Sequence, residues 1–215
     1  DTTINHVTSA RDIAIMSAQL MRHEKILEFS STWMDSIRDG AFTLTNTNRL
    51  VRFYDGATGL KTGSTSKAGY CMSATAKRGE LHLIAVIMGA SSRDARNASA
   101  KKLLDIGFAG KALFRCAGGE LEPIPVHGTI GGSVVPVVQP FSRVIEKGQD
   151  GKVTTEYELP EFLGTPVAQG QVIGRAVFSA DGNVIGESEI TASNAVDAAS
   201  FFDVFTQIML KFLMN

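Results

Sequence analysis

A lysine, a threonine and a glycine stand together at Lys61, Thr62 and Gly63, and Ser64 follows them. A fixed cation beside a hydroxyl suits a site that binds a peptide ending in a free carboxylate. The glycine lets a substrate backbone lie against a strand, because no Cβ stands in the way. The backbone N–H of Ser64 can stabilise an oxyanion that develops during acyl transfer. The tripeptide predicts one wall of an acyl-transfer site, although by itself it also fits an exposed strand end with a solvated lysine.

A helix is predicted in front of this tripeptide, near the start of the chain. Ser9 can cap it and Asp12 stands three residues later, which is the pattern of a capping box. Apolar residues then recur at helical spacing, which predicts a helix to about residue 23 that buries one face. The residues of that face are Ile13, Met16, Leu20 and Met21. A shorter helix is expected over about residues 24–29.

Two strands and another helix are predicted after the tripeptide. Alternation over residues 69–77 and a nearly continuous apolar run over residues 81–88 predict two strands joined by a polar turn. We expect these strands to pair as an antiparallel hairpin. A capping pattern at residues 91–94 then begins a helix that ends near Gly107 or Gly110. A hairpin followed by a helix that packs back on it indicates an α/β layer.

The pattern changes near residue 111, where short β-rich runs punctuated by Pro and Gly begin. The runs cover residues 134–138, 143–146, 152–159, 171–178 and 184–190. Asp181, Gly182 and Asn183, between the last two runs, are a strong hairpin signal. Such spacing is typical of a small β-sandwich or barrel-like domain, and we place the boundary at about residues 110–118.

The tail carries a wide apolar stripe at helical spacing, with Asp203, Gln207 and Lys211 off the stripe. The stripe consists of Phe201, Phe202, Val204, Phe205, Ile208, Met209, Phe212 and Leu213. The pattern fits two structures equally well: a helix docked on its own domain, or an interfacial anchor that lies flat on a membrane. One lysine gives little attraction to anionic lipid, so insertion would be mainly hydrophobic.

The composition is that of an ordinary globular chain, with 44% hydrophobic and 20% charged residues. The formal net charge of −1 provides no global field that would draw nucleic acid. Cys71, Cys116 and four scattered histidines match no metal-ligand spacing, and the two cysteines could pair or stay free. No apolar run is long enough to predict a spanning helix. Asp1 opens no signal-peptide pattern, so we expect the chain to begin downstream of any export signal.

The residues around the tripeptide carry a resemblance to a known family. Residues 58–70 resemble the third-motif strand and the following turn of the low-molecular-mass penicillin-binding proteins. Residues 9–14, 83–89 and 93–104 resemble a helix start, the next strand and the last helix of that family, in the same order. Other segments, residues 46–50 and 69–71, are most similar to the D-alanyl-D-alanine carboxypeptidases of Gram-positive bacteria.

The resemblance implies a fold class and a division of the chain. Residues 1–112 would be the C-terminal part of a β-lactamase-like peptidase domain, an α/β fold in which helices pack on an antiparallel sheet. Residues 113–195 would form a small all-β domain. Residues 196–215 would form an amphipathic helix that can anchor the protein to a membrane.

The resemblance also implies roles for the residues of the tripeptide and its neighbour. Lys61 would bind and polarise the substrate, and Thr62 would hydrogen-bond its terminal carboxylate. Gly63 would let the substrate lie against the strand. The backbone N–H of Ser64 would belong to the oxyanion hole.

A further cation is implied beyond the tripeptide. Arg96 aligns with the arginine that reads the free C-terminal carboxylate in the family. Arg93 is the alternative if the loop register slips by one helical turn. From the pattern alone, Arg96 would be a solvated arginine in the first turn of a helix.

Two of the three family motifs are not in place. The S-x-N motif occurs nowhere in the chain, and S-x-x-K occurs at residues 64–67 and 99–102. The first copy lies in the K-T-G strand and turn and the second within the last helix, so neither is placed as a nucleophile. The chain therefore contains no nucleophile, and we interpret this as the absence of the first half of the catalytic domain. That half would be a required partner, and without it a large apolar face would be exposed.

The leading functional prediction is a serine-type D-alanyl-D-alanine carboxypeptidase. It would remove the terminal D-alanine from peptidoglycan stem peptides through an acyl-enzyme, and β-lactam antibiotics would acylate it. The resemblance implies no metal and no organic cofactor, because the nucleophile would be a serine. It implies a location on the outer face of the bacterial cytoplasmic membrane, which residues 197–215 would contact.

Two alternatives to this function are open. The missing motifs favour a catalytically inactive cell-wall binding or scaffolding module. A serine β-lactamase also shares the K-T-G motif, but the β-rich part and the anchor-like tail argue against it.

Overall fold

The computed structural model describes residues 7–213, and the chain divides into two compact units between Ala112 and Leu113. An α/β unit comes first, and a β-rich unit with a C-terminal helix follows, which confirms the predicted fold class. The elements of the first unit are α1 (Ala10–Leu20), α2 (Glu24–Ser30), β1 (Met34–Ile37), β2 (Phe42–Thr45), α3 (Leu50–Phe53), β3 (Ala57–Thr65), β4 (Gly69–Arg78), β5 (Leu81–Ala90) and α4 (Arg93–Gly110).

The centre of the first unit is an antiparallel sheet with the strand order β3-β4-β5. The predicted hairpin of β4 and β5 is confirmed, with Gly79 at a φ of +57° in its turn. Lys61 pairs with Ser73 of β4, and Thr62 pairs with Met72. Because successive side chains of a strand point to opposite faces, the sheet directs Lys61 and Thr62 to different sides.

One face of the sheet is covered by α4. Ser92 caps this helix by accepting a hydrogen bond from the backbone N–H of Ala95, 3.1 Å away, as the capping pattern predicted. The buried residues of α4 recur every four positions, so they form a single stripe along the helix. They are Arg96, Ala100, Leu104 and Phe108. The three apolar ones join the core of the unit, while Arg96 lies at the end of the stripe nearest the start of the helix.

The helix α1 begins as predicted but does not bury its apolar face. The Ser9 hydroxyl accepts from the backbone N–H of Asp12, and the Asp12 carboxylate accepts from the backbone N–H of Ser9, which confirms the capping box. Met16 is 58% exposed and Leu20 is 41% exposed, so the predicted burial of this stripe is wrong for the chain as described. The buried residue of α1 is instead Ser17, whose hydroxyl lies 2.7 Å from that of Ser73.

From Lys111 onward the chain is mostly strand. The elements are β6 (Lys111–Cys116), β7 (Gly119–Glu120), β8 (Ile124–His127), β9 (Ser133–Val134), β10 (Pro136–Val138), β11 (Phe141–Glu146), a short 3₁₀ turn (Asp150–Lys152), β12 (Val153–Glu158), β13 (Leu163–Gly164), β14 (Val172–Ala180), β15 (Asn183–Ala192) and α5 (Phe201–Leu213).

The second unit has its own core around a five-stranded sheet of order β12-β14-β15-β10-β7. The predicted hairpin of β14 and β15 is confirmed. Asp181 and Gly182 take positive φ angles of 49° and 77° in its two-residue turn, the conformation that such a turn requires. Phe178 is fully buried, and its ring stacks on that of Phe141 at 4.7 Å between centroids.

The tail forms the predicted helix, α5, and its apolar side chains lie on the surface. Ser200 and Asp203 cap it reciprocally, with the Asp203 carboxylate 2.8 Å from the backbone nitrogen of Ser200. Every residue of the helix is exposed, including Phe212 at 82%. Within residues 7–213 no helix is long and apolar enough to cross a membrane. Because the apolar stripe of α5 is exposed, the described residues do not show it docked on the second unit, which was one of the two predicted structures.

Candidate active site

The predicted tripeptide lies in the middle of β3, on a strand with one free edge. In the described sheet β3 pairs only with β4, so its other edge offers unpaired backbone groups. A peptide can add to such an edge as a further strand, with its backbone held by hydrogen bonds. A Cβ added at Gly63 would meet no atom within 4 Å, so the space beside the strand is open there.

The start of β3 is fixed by two short segments that pack against it. The hydroxyl of Ser30 donates to the carbonyl of Thr58 at 2.6 Å, and the buried side-chain amide of Asn48 donates to the carbonyl of Gly59 at 2.7 Å. A Cβ added at Gly59 would lie 2.5 Å from the Ser30 hydroxyl oxygen, so only glycine fits this close approach. These contacts hold the strand immediately before Lys61.

The Lys61 side chain is exposed, and its ammonium group donates to the carbonyl of Thr62 at 2.6 Å. It borders an apolar cavity of about 400 Å³ between α1 and the sheet. Residues of α1, β3, β4 and β5 line this cavity, and Ser17 and Ser73 meet within it. The ammonium group is therefore at the boundary between solvent and an apolar surface that the described residues leave uncovered.

Thr62 borders a second and more polar cleft, of about 600 Å³. Gly63 and Ser64 continue the same wall, the turn before α3 forms another, and the start of α4 forms a third. The lining residues are Trp33, Thr45, Asn46, Thr47, Arg49, Phe53, Thr62, Gly63, Ser64, Arg93, Arg96 and Asn97. Three of them are arginines and none is an aspartate or a glutamate, so the cleft is suited to an anion. The structure brings the predicted Thr62, Gly63, Ser64, Arg96 and its alternative Arg93 together in this cleft.

Arg96 is a buried cation whose described hydrogen bonds are all to neutral groups. Only 4% of it is exposed, and its guanidinium donates to the carbonyl of Cys71 and to the side chain of Asn97, each at 3.4 Å. Burial and, next, the neighbouring Arg93 guanidinium lower the pKa of Arg96, but an arginine stays charged at any physiological pH. No ion pair of Arg96 with a carboxylate is found within residues 7–213. A buried charge of this kind is costly unless it is paired, which points to an anionic ligand.

The turn before α3 contributes two residues that the sequence did not mark as functional, Thr47 and Arg49. The hydroxyl oxygen of Thr47 lies 2.6 Å from that of Thr62. The sequence feature that could have indicated these two residues is the pair of asparagines on either side of Thr47. Asn46 and Asn48 both use their side chains to tie this turn to backbone carbonyls.

Neither copy of S-x-x-K has the geometry of a nucleophile and its base. Ser64 lies at the end of β3 while Lys67 lies in the turn that follows, so they do not share a helical face. Ser99 and Lys102 are exposed on α4, outside the two cavities just described. The two cysteines, Cys71 and Cys116, are both free thiols.

Comparisons with known proteins find family matches in each of the two units of the chain. A family model for D-alanyl-D-alanine carboxypeptidases matches residues 2–92, and a model for the C-terminal domain of penicillin-binding protein 5 matches residues 133–198. The two matches identify the chain as part of a low-molecular-mass penicillin-binding protein. The two matches follow each other along the chain as its two units do.

Individual members of this family are similar along most of the chain. The D-alanyl-D-alanine carboxypeptidase DacF of Bacillus subtilis is 35% identical over 211 residues, which are 95% of this chain and 54% of DacF. DacA of Haemophilus influenzae is 33% identical over 92% of this chain and 52% of its own length. The crystal structure of penicillin-binding protein 5 from Haemophilus influenzae superimposes with a TM-score of 0.75 at 31% identity, over 88% of this chain and 57% of that one. The chain thus spans about half the length of the relatives that it matches.

Proposed function

We propose that this chain forms part of a serine-type D-alanyl-D-alanine carboxypeptidase and supplies the K-T-G wall of its active site. The observation that carries the proposal is Arg96, a buried cation without a carboxylate partner, in the same cleft as Thr62. The cleft flanks the free edge of β3, where a peptide backbone can pair. A peptide bound there would place its terminal carboxylate between the Thr62 hydroxyl and the Arg96 guanidinium.

The serine nucleophile would belong to an S-x-x-K segment outside residues 1–215, in the same polypeptide or in a second chain. We call this chain together with that segment the assembled protein. The serine oxygen would form a bond to the carbonyl carbon of the penultimate D-alanine and give up its proton to the lysine of its motif. Lys61 and the backbone N–H of Ser64 would stabilise the oxyanion. The C–N bond would then break, D-alanine would leave with a proton, and water would hydrolyse the acyl-enzyme.

The uncovered apolar face of the first unit supports this completion of the site. Met16, Leu20 and Met88 line the cavity of about 400 Å³ beside Lys61, and each is between 41% and 58% exposed. An apolar surface of this kind, next to a polar cleft, is typical of a surface that another segment covers. A helix placed there would bring its side chains to the Lys61 side of β3.

The proposal extends to β-lactam antibiotics. A penicillin presents a carboxylate and an amide carbonyl at a spacing that resembles the end of a D-alanyl-D-alanine peptide. It would use Thr62, Arg96 and the oxyanion donor in the same way, and its ring opening would leave the serine acylated. Peptidoglycan stem peptides and β-lactams are therefore the proposed ligands of the assembled protein.

We further propose an extracytoplasmic location, with α5 lying on the outer surface of the cytoplasmic membrane. The relatives named above are carboxypeptidases, and a peptidoglycan substrate lies outside the cytoplasm. At about 1.5 Å per residue, the helix is about 20 Å long, shorter than the hydrocarbon core of a bilayer. Its exposed phenylalanines on one side and Asp203, Gln207 and Lys211 on the other suit a helix that lies in the interface.

A catalytically inactive binding module is the second candidate, and the missing S-x-N motif is the observation that favours it. Such a module would still bind a terminal carboxylate through Arg96 but would release no D-alanine. The β-lactamase alternative has less support, because residues 133–198 match a penicillin-binding protein domain.

The activity is tested by D-alanine release from a peptide ending in D-alanyl-D-alanine, using the assembled protein and an Arg96→Gln variant. We expect the wild type to release D-alanine. We expect Arg96→Gln to lower kcat/KM about a hundredfold, mainly through KM, because a buried charge pair with the substrate is lost. Lys102→Gln removes a cation from the exposed side of the same helix and should leave the kinetics unchanged.

The outcomes of this assay separate the candidates. No release by a folded wild-type assembly would overturn the carboxypeptidase proposal and leave the binding module. Loss on Arg93→Gln with no loss on Arg96→Gln would instead assign the carboxylate to Arg93.

A further inference from the structure

The hydroxyl group of Thr62 has a partner within the protein. Its oxygen lies 2.6 Å from the hydroxyl oxygen of Thr47, and both residues line the polar cleft. A threonine hydroxyl has one hydrogen to donate and can accept others. The direction of this one hydrogen bond therefore decides whether Thr62 can still donate to a ligand.

Thr47 is held in place from both sides. The side-chain amide of Asn46 donates to the carbonyls of Ser30 and Thr32, at 3.1 and 3.0 Å. Asn48 is 1% exposed, donates its side-chain amide to Gly59 of β3, and receives a hydrogen bond from the backbone N–H of Leu50. The turn is thus tied both to the end of α2 with the residues that follow it and to the strand that carries Thr62. A side chain held by such anchored neighbours presents its hydroxyl at a fixed place.

We propose that Thr47 is a positioning residue for recognition of the substrate's terminal carboxylate. Its hydroxyl donates to the oxygen of Thr62, and the hydroxyl of Thr62 in turn donates to the carboxylate. This inference rests on the proposed function, since it takes Thr62 as a residue that binds the substrate.

A bound anion favours the arrangement in which the Thr47 hydroxyl donates to Thr62 and the Thr62 hydroxyl donates to the anion. In the opposite direction Thr62 would donate to Thr47 and face the carboxylate with its lone pairs. A hydrogen bond to a charged acceptor is about twice as strong as one between neutral groups. Donation by Thr47 also polarises the Thr62 hydroxyl and strengthens its bond to the ligand. The pair therefore favours a free carboxylate over an uncharged terminal carboxamide.

The test is steady-state kinetics of the assembled protein on a peptide ending in D-alanyl-D-alanine, as the free acid and as the carboxamide. Thr47→Val keeps the shape and removes the hydroxyl, so we expect kcat/KM for the free acid to fall about five- to tenfold, through KM. Thr47→Ser keeps the hydroxyl and should stay within about twofold of the wild type. Thr43→Val, which removes an exposed hydroxyl from β2 outside the cleft, is the matched control and should be unchanged.

A double variant shows whether Thr47 acts through Thr62. Thr47→Val combined with Thr62→Val should be no worse than Thr62→Val alone, because the first hydroxyl then has nothing to orient. Additive losses, or wild-type kinetics for Thr47→Val, would overturn the inference while leaving the carboxypeptidase proposal intact. Equal losses on the free acid and the carboxamide, with a lowered unfolding temperature, would assign Thr47 a structural role only and also overturn it. A folded wild type that releases no D-alanine would overturn the proposed function, and this inference with it.

Discussion

Replacing Lys61 by glutamine is expected to slow acylation of the assembled protein by penicillin by about two to three orders of magnitude. Lys61 lies in the middle of β3 with its ammonium group exposed beside the apolar cavity. Once a further segment covers that cavity, the charge acts in a medium of low polarity, where it stabilises an oxyanion far better than in water. Glutamine retains a hydrogen-bond donor of similar reach but no charge. The measurement is the second-order rate constant for acylation by a fluorescent penicillin.

Lys67 provides the matched control for this prediction. It is an exposed lysine in the turn after β3, six residues from Lys61 and part of the S-x-x-K copy at residues 64–67. We expect Lys67→Gln to acylate at close to the wild-type rate. A large loss for Lys67→Gln would show that this copy is functional after all. Near wild-type acylation by a folded Lys61→Gln variant would remove Lys61 from the site.

Deleting residues 197–215 is expected to abolish recovery of the protein with phosphatidylcholine vesicles in a flotation experiment. The apolar side of α5 carries Phe201, Phe205 and Phe212, and all three are exposed. Burying one such side chain contributes about 1.5–3 kcal/mol, so several of them are enough to hold the helix in an interface. Binding should also change little with salt, because Asp203 and Lys211 cancel each other in charge.

A pair of substitutions distinguishes apolar insertion from a general effect of charge. Phe205→Glu places a carboxylate on the apolar side and should lower vesicle recovery strongly. Gln207→Glu places the same carboxylate on the polar side and should leave recovery near that of the wild type. Equal recovery of the wild type and the truncated chain would remove the proposed anchor.

Local signals explain which elements the sequence predicts correctly. Ser9 with Asp12 begins α1, Ser92 begins α4, and the turn at Asp181 and Gly182 joins β14 to β15, because caps and tight turns depend only on neighbouring residues. The hairpin of β1 and β2 was not predicted. All of its residues are exposed, so no buried face marks its strands in the sequence. Its turn also has positive backbone φ angles at Arg38 and Asp39, a conformation that residues other than glycine rarely adopt.

Burial of α1 was predicted wrongly for a different reason. Helical periodicity shows that Met16 and Leu20 share a face but not which surface covers that face. Within residues 7–213 nothing covers them fully, and the same face borders the apolar cavity beside Lys61. Contacts of this kind depend on segments distant in sequence, which a local pattern does not report.

The residues of the candidate site likewise differ in whether a local sequence pattern could identify them. Lys61, Thr62 and Gly63 are adjacent in sequence, so one short motif suggested them together. Arg96 reaches the cleft from a separate helix, and it was identified through the family resemblance. Thr47 and Arg49 were missed, because a turn residue contributes to the cleft only through space, by packing against a strand that follows later in the chain.

We propose that the nucleophile lies outside residues 1–215 while this chain supplies the K-T-G wall. The most direct measurement is labelling of the purified material with a fluorescent penicillin, followed by denaturing electrophoresis and intact mass. We predict label on a polypeptide that contains the S-x-x-K segment, and none on a 23.0 kDa chain made of residues 1–215 alone. Covalent label on that 23.0 kDa chain would place a nucleophile within this sequence and contradict this proposal.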